Sequence, residues 1–274
     1  MQISNLSGQR DTHVRHPRFH EHSEVTRCDI IGDIHGCYDE LVQLLAALGH
    51  ESLLDPEVEA APEGTSPRII FVGDIVDRGD RIMDAVKLVY RLCRRGYALS
   101  VIGNHDDRFL RWLLGKKIEP RHGLQETIDE FEAMPRSLQE EWRDRLTDFF
   151  CNLPWAIRID SGRAIVAHAA WHGDLHEASP DKLRAYTLYG PTTGRKTQEG
   201  FPERIDWAPG YSGPELVVFG HQVYDAPYIH QHAIGIDTGC VFGGALTALR
   251  YPELEVVSVR SQRMRYSRGG KKMV

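Results

Sequence analysis

Cys28-Asp-Ile-Ile-Gly-Asp-Ile-His-Gly36 sets the plan of this chain: a short, partly β-branched apolar run breaks at a glycine into a turn of carboxylate and imidazole. The segment that follows has a different period. Leu41, Leu44, Leu45 and Leu48 stand at the i, i+3, i+4, i+7 spacing of a one-sided helix, and Gly49 falls where helices end. The plan repeats at Arg68-Ile-Ile-Phe-Val72, which leads into Gly73-Asp-Ile-Val-Asp-Arg-Gly79 and then Ile82, Ala85, Val86 and Val89. It repeats again at Leu99-Ser-Val-Ile102, followed by Gly103-Asn-His-Asp106 and Phe109, Leu110, Leu113 and Leu114. This succession of strand, polar turn and helix predicts an α/β fold.

Further along, the runs Ala164-Ile-Val-Ala167, Leu216-Val-Val-Phe219 and Ile234-Gly-Ile236 end near His168, His221 and Asp237, and Leu254-Glu-Val-Val-Ser-Val259 adds one more strand. In α/β sheets the ligand site lies beyond the carboxyl ends of the strands, so these six polar turns are expected to share one cleft. Gly-Asp is also simply a good turn former, but turn formation does not explain the accompanying histidines. Residues 121–152 are charged and helical in period, and read as a helical insertion without chemistry. Tyr189 to Pro214, rich in Pro and Gly, reads as a long loop.

The chain has 274 residues, 41% of them hydrophobic, enough for one large domain. A formal charge of −6 excludes recruitment to nucleic acid by bulk charge. Five scattered cysteines, never in a C-x-x-C pair, exclude a zinc knuckle and point to a reducing, cytoplasmic setting. No stretch approaches the roughly 18 apolar residues of a membrane span, and no obligate protein partner is evident. The expected organisation is a mobile segment over 1–26, a single domain over 27–260 and a basic tail over 261–274. His13, His16, His20 and His22 alternate with Arg and Pro and read as part of the mobile segment, not as a metal tract.

The Gly-Asp-x-His-Gly, Gly-Asp-x-Val-Asp-Arg-Gly, Gly-Asn-His-Asp and Gly-His motifs, in that order, resemble the phosphoprotein-phosphatase-like branch of the calcineurin-like metallophosphoesterases. The resemblance runs from about Cys28 to Val259 and implies an α/β/β/α sandwich of two mixed sheets flanked by helices. Leu188-Tyr-Gly-Pro-Thr-Thr-Gly194, the stretch from Phe201 to Ala208, and Ile236-Asp-Thr-Gly-Cys-Val-Phe-Gly-Gly-Ala-Leu-Thr-Ala-Leu249 narrow it toward the phosphatase module of bacterial polynucleotide kinase-phosphatases. Diadenosine tetraphosphatases and serine/threonine phosphatases share the catalytic motifs. Ala170 and Gln222 depart from the family's usual Gly and Thr. The only P-loop look-alike, Gly190 to Thr197, has Arg195 between its glycine and Lys196, and is set aside.

By motif position, the resemblance implies two divalent transition metals. Asp33, His35 and Asp74 would hold the first, and Asp74, Asn104, His168 and His221 the second. A mixed nitrogen and oxygen set suits Mn²⁺ first, with Fe, Zn²⁺ or Ni²⁺ as alternatives. Metals about 3.5 to 4 Å apart activate a shared water for in-line attack on phosphorus. Arg78, with Asn104 and His105, would bind substrate phosphate. His105 would protonate the leaving oxygen, with Asp77 orienting it and keeping it charged. Asp237 would orient a metal-bound histidine or His105.

The leading substrate expectation is a 2′-, 3′- or 2′,3′-cyclic phosphate end of a nucleotide or polynucleotide. Dinucleoside polyphosphates come second and phosphoproteins third, with a catalytically silent nucleotide-binding protein as the alternative of another class. The basic tail, Arg184, Arg195, Lys196 and Arg204 are candidate phosphate contacts from charge alone.

Overall fold

The alternation of apolar side chains along each strand decides the layering. In β2 (Cys28–Ile31) and β3 (Ile69–Phe71), Ile30 and Ile70 face one way and join Val166, Val218 and Ile234 in one buried cluster. Their neighbours Ile31, Ile69 and Phe71 face the other way, into a cluster with Leu41, Leu44, Leu45, Val86 and Val89 of α1 (Tyr38–Ala47) and α2 (Ile82–Arg94). Strands buried on both faces require a layer on each side. The computed structural model, which describes residues 19–197, 200 and 202–267, accordingly packs two sheets face to face with helices outside them.

The remaining strands are β1 (Phe19–His22), β4 (Ala98–Ser100), β5 (Ala156–Ile159), β6 (Ala164–Ala167), β7 (Thr192–Lys196), β8 (Pro202–Arg204), β9 (Leu216–Phe219), β10 (Tyr228–His230), β11 (Ala233–Gly235), β12 (Ala245–Tyr251) and β13 (Glu255–Arg260). One sheet runs β13-β12-β2-β3-β4 and the other β1-β5-β6-β9-β11-β10. Strands β2, β3 and β4 are parallel, as are β6, β9 and β11, while β12 and β13 close the first sheet in antiparallel register. Both sets of parallel strands therefore present their carboxyl ends to the site.

Local signals explain the helix ends. Gly49 takes φ +86 after α1, and the amides of Gly49 and His50 return to the carbonyls of Ala46 and Leu45. Residues 121–152 form α4 (Leu124–Glu132) and α5 (Arg136–Asn152), separated at Pro135. Besides α3 (Asn104–Leu113), α6 (Pro180–Tyr189) starts with a side-chain cap from Ser179.

Three expectations are corrected. The mobile segment cannot extend to residue 26, because Phe19–His22 pair in register with β5; residues 1–18 lie outside the described residues. The tail is not a free basic arm from 261: Arg265 is buried against Glu40 and Asp80, and Met264 bridges to Phe242, while 268–274 lie outside the described residues. The long loop contains the β7–β8 hairpin and buries Trp207, Ala208 and Tyr211, so the P-loop look-alike is mostly a strand. No helix among the described residues is long and apolar enough to cross a membrane.

Candidate metal centre

Each expected site residue follows the end of one of these parallel strands. Asp33 and His35 follow β2, and Asp74, Asp77 and Arg78 follow β3. Asn104 and His105 open α3 after β4, while His168, His221 and Asp237 follow β6, β9 and β11. Asp74 stands at the centre. Its Oδ1 accepts the His105 amide at 2.9 Å and lies 3.4 Å from His168 Nε2, and its Oδ2 lies 3.5 Å from His35 Nε2. Two clusters, His35 with Asp74 and His105, and Asp74 with His168 and His221, each hold their donor atoms within 4.8 Å and share that one carboxylate. Asn104 Oδ1 stands 3.1 Å from His168 Nε2, and Asp33 accepts the His221 amide at 3.1 and 3.2 Å.

The loops pay a conformational cost to aim these groups. His35, Asp74, Asp77, Arg78 and His221 all take positive φ, between 44° and 74°, a region that L side chains seldom occupy. Asp106 holds one such loop in place: its carboxylate accepts the amides of Ile75 at 2.9 Å and Gly103 at 3.0 Å. Gly103 is needed because a Cβ there would run into the Asp74 amide and carboxylate.

The ring nitrogens report what the clusters are built to hold. His168 Nδ1 donates to the Val72 carbonyl at 2.9 Å and His35 Nδ1 to the Val76 carbonyl at 2.8 Å, leaving a lone pair on each Nε2. The His168 lone pair faces other electron-pair donors, Asp74, Asn104 and His221. The His35 lone pair lies 3.5 Å from Asp74 and accepts from the Arg78 guanidinium. His221 Nε2 is buried without a hydrogen-bond partner. Burial raises the pKa of Asp33 well above the usual carboxylate range, with Asp237 and Asp74 adding to it, and raises Asp74 to about 7. Burial lowers His168 to about 4 and His35 and His221 well below their usual value. Neutral imidazoles facing crowded carboxylates fit divalent cations of the borderline transition type.

Beside the clusters, His105 Nδ1 lies 2.5 Å from Asp77 Oδ2, and Thr127 donates to Asp77 Oδ1 at 2.5 Å. Burial raises the pKa of Asp77 and lowers that of His105, with Arg78 adding to the latter, so without metal or substrate burial favours the neutral form of each. Arg78 reaches His35 Nε2 at 2.7 Å and His105 Nε2 at 2.8 Å. Across the site, Arg204 of β8 donates to the His221 carbonyl at 3.1 Å, and its charge interacts with Asp74, Asp237 and Asp33.

Asp237 accepts the Gly239 amide at 3.0 Å, while His35 and His168 bond backbone carbonyls and His105 bonds Asp77. Burial raises the Asp237 pKa to about 6. Of the other candidate cations, Arg184 is bound to Asp107 at 2.6 Å, while Arg195 and Lys196 are exposed on β7. Two contributors escaped the sequence reading. Asp106 was visible as the end of its motif but had no assigned role, whereas Thr127 in α4 carries no sequence signal at all.

A shared carboxylate among imidazoles, next to a guanidinium and a buried His–Asp pair, is the arrangement of a metal-dependent phosphoesterase, a hydrolase. The chain belongs to the calcineurin-like phosphoesterase family, whose model matches residues 26–225. It is 42% identical over 235 residues to an asymmetrical bis(5′-nucleosyl)-tetraphosphatase of Geobacillus sp. (strain WCH70), covering 86% of this chain and 94% of that one. It is 40% identical over 233 residues to the protein of the same name from Anoxybacillus flavithermus (strain DSM 21510 / WK1), covering 85% and 94%. Among solved structures, a candidate diadenosine tetraphosphatase superposes with a TM-score of 0.62 at 28% identity, over 90% of this chain and 99% of that one. These names match the second substrate expectation, not the leading one of 2′- or 3′-phosphate ends.

Proposed function

We propose that this protein hydrolyses dinucleoside polyphosphates, splitting bis(5′-nucleosyl) tetraphosphates asymmetrically. The observation that carries the reading is the match, across nearly their whole length, to two relatives named for that activity. The charge layout supports it. Arg78 and Arg204 flank the carboxylate cluster, and a polyphosphate bridge offers oxygens to both guanidiniums.

Asp33, His35 and Asp74 would hold one divalent cation, and Asp74, Asn104, His168 and His221 the other, with Mn²⁺ the best match to the donor set and Fe, Zn²⁺ or Ni²⁺ next. Bound there, the metals bring the pKa of water toward neutrality and offset charge on phosphate. The protein's own groups do the rest. Arg78 and Asn104 orient the scissile phosphate, and His105, held through Nδ1 by Asp77, gives a proton from its other ring nitrogen, Nε2, to the departing oxygen. Five free cysteines among the described residues suit a reducing cytoplasm.

The test compares turnover of diadenosine tetraphosphate, a 3′-phosphorylated oligonucleotide and a phosphopeptide by the same Mn²⁺-loaded enzyme. Diadenosine tetraphosphate is expected to be preferred, giving nucleoside monophosphate and nucleoside triphosphate in equal amounts. Preference for either other substrate by orders of magnitude would overturn the proposal.

A further inference from the structure

We infer that the C-terminal segment from Ser261 to Tyr266 positions Arg78, with Tyr266 as the residue that acts on the guanidinium and Arg265 as its anchor. The inference rests on the reading of Arg78 as a phosphate ligand. It starts from the anchor. Arg265 is 7% exposed, and its guanidinium meets Glu40 in α1 through two bonds, Nη1 to Oε1 at 2.9 Å and Nη2 to Oε2 at 3.0 Å. Its Nε donates to Asp80 Oδ1 at 2.8 Å, and Arg263 also pairs with Asp80. Every charge in this buried group is matched, which fixes the strand of chain that carries it.

The anchor points lie close in sequence to site residues. Glu40 is five residues after His35, and Asp80 is two residues after Arg78. The amides of Arg265 and Tyr266 both reach the Val241 carbonyl at 3.0 Å, tying the segment to the loop after Asp237 as well. Held on three sides, the segment places the buried Tyr266 ring 5.9 Å from Arg78 Cζ, and Phe242 lies 5.3 Å from the same carbon. Arg78 has positive φ, and its other contacts are to His35, His105 and the His122 carbonyl. An arginine side chain has many rotamers, and aromatic faces that favour a cation remove that freedom before substrate arrives. Tyr266 is thus a positioning residue, and the basic composition of the segment serves this anchoring.

The experiment uses the full chain loaded with Mn²⁺. Tyr266→Leu keeps apolar bulk without a ring face, Tyr266→Phe keeps both, and Arg265→Lys loses the two-pronged bond to Glu40. Tyr266→Leu should raise KM for diadenosine tetraphosphate and the inhibition constant of inorganic phosphate by about 3- to 10-fold. Tyr266→Phe should stay within about twofold of the parent, and Arg265→Lys should move in the same direction as Tyr266→Leu. In an Arg78→Ala background Tyr266→Leu should add nothing. As a readout independent of activity, made on metal-free protein because Mn²⁺ is paramagnetic, the Arg78 Nε–H resonance, identified by its loss in Arg78→Lys, should shift in Tyr266→Leu. An unchanged resonance, or an equal loss with and without Arg78, overturns the inference. If Arg78→Ala leaves KM and phosphate inhibition unchanged, the phosphate role of Arg78 fails by itself, and the resonance still decides whether Tyr266 positions it.

Discussion

Thr127 donates its hydroxyl hydrogen to Asp77 Oδ1 at 2.5 Å and accepts the Asp77 amide at 3.0 Å. A helix that reads as free of chemistry thereby supports the carboxylate on which His105 depends. Replacing Thr127 with Val preserves shape and removes the donor. We expect kcat on an alkyl phosphate to fall about tenfold, the scale of one hydrogen bond to a charged group, with Thr127→Ser near the parent. Steady-state kinetics check this, and an unaltered kcat in Thr127→Val would remove the helix from the mechanism.

His105→Ala separates substrates by their leaving groups. A nucleoside polyphosphate or p-nitrophenolate departs with little protonation, whereas a sugar alkoxide needs a proton. The loss should reach on the order of 10²-fold or more for the sugar phosphate and be markedly smaller for the other two. Equal losses on all three would mean that His105 positions substrate and does not deliver a proton.

Arg204 distinguishes a phosphate chain from a single phosphate. Arg204→Ala should raise KM for diadenosine tetraphosphate about tenfold, the scale of a lost charged contact, and leave p-nitrophenyl phosphate nearly unaffected. Parallel changes on both substrates would show that Arg204 only supports the loop of His221, whose carbonyl it holds.

Asp74, buried and with a pKa raised to about 7, gives metal loading a pH signature. Below pH 7 the metal-free protein carries a proton there that a cation must displace, whereas His168, lowered to about 4, is already neutral. Calorimetric titration with Mn²⁺ in two buffers of different ionisation heat should show more proton release at pH 6 than at pH 8. Asp74→Ala should remove the difference together with metal-dependent hydrolysis.

The same raised carboxylate sets a stability trend in metal-free protein. A folded pKa above the unfolded value gives stability that is full at low pH and is lost as pH rises through the folded value. Above pH 7 an unfolded histidine is mostly neutral, as the buried ones already are, and contributes little. The Tm of metal-free protein should therefore fall between pH 7 and 8, and Mn²⁺ should suppress the fall. A metal-free Tm that rises across that window would contradict the crowding of carboxylates around Asp74.

The strand endings show how much of the site could be read in advance. Asp33, His35, Asp74, Asn104, His168 and His221 are legible because parallel strands return to one edge, so a polar turn after each apolar run converges with the others. Thr127 is not legible, because a threonine in a charged helix looks the same whether or not it faces a carboxylate. Strands β1, β5, β10 and β12 also escaped, since strands of three to seven residues have too little pattern of their own and are specified by their neighbours' hydrogen bonds.

The sequence by itself determined the α/β alternation, the identity of the electron-pair donors and the order in which they arrive, because period and residue type are local properties. Only the tertiary structure decided that Arg265 is buried against Glu40 and Asp80 and not part of a loose tail, that Asp237 bonds a backbone amide, and that His105 meets Asp77 in a buried pair. Those outcomes depend on burial and on partners far apart in the chain, and desolvation energy belongs to the packed molecule, not to any one stretch of it.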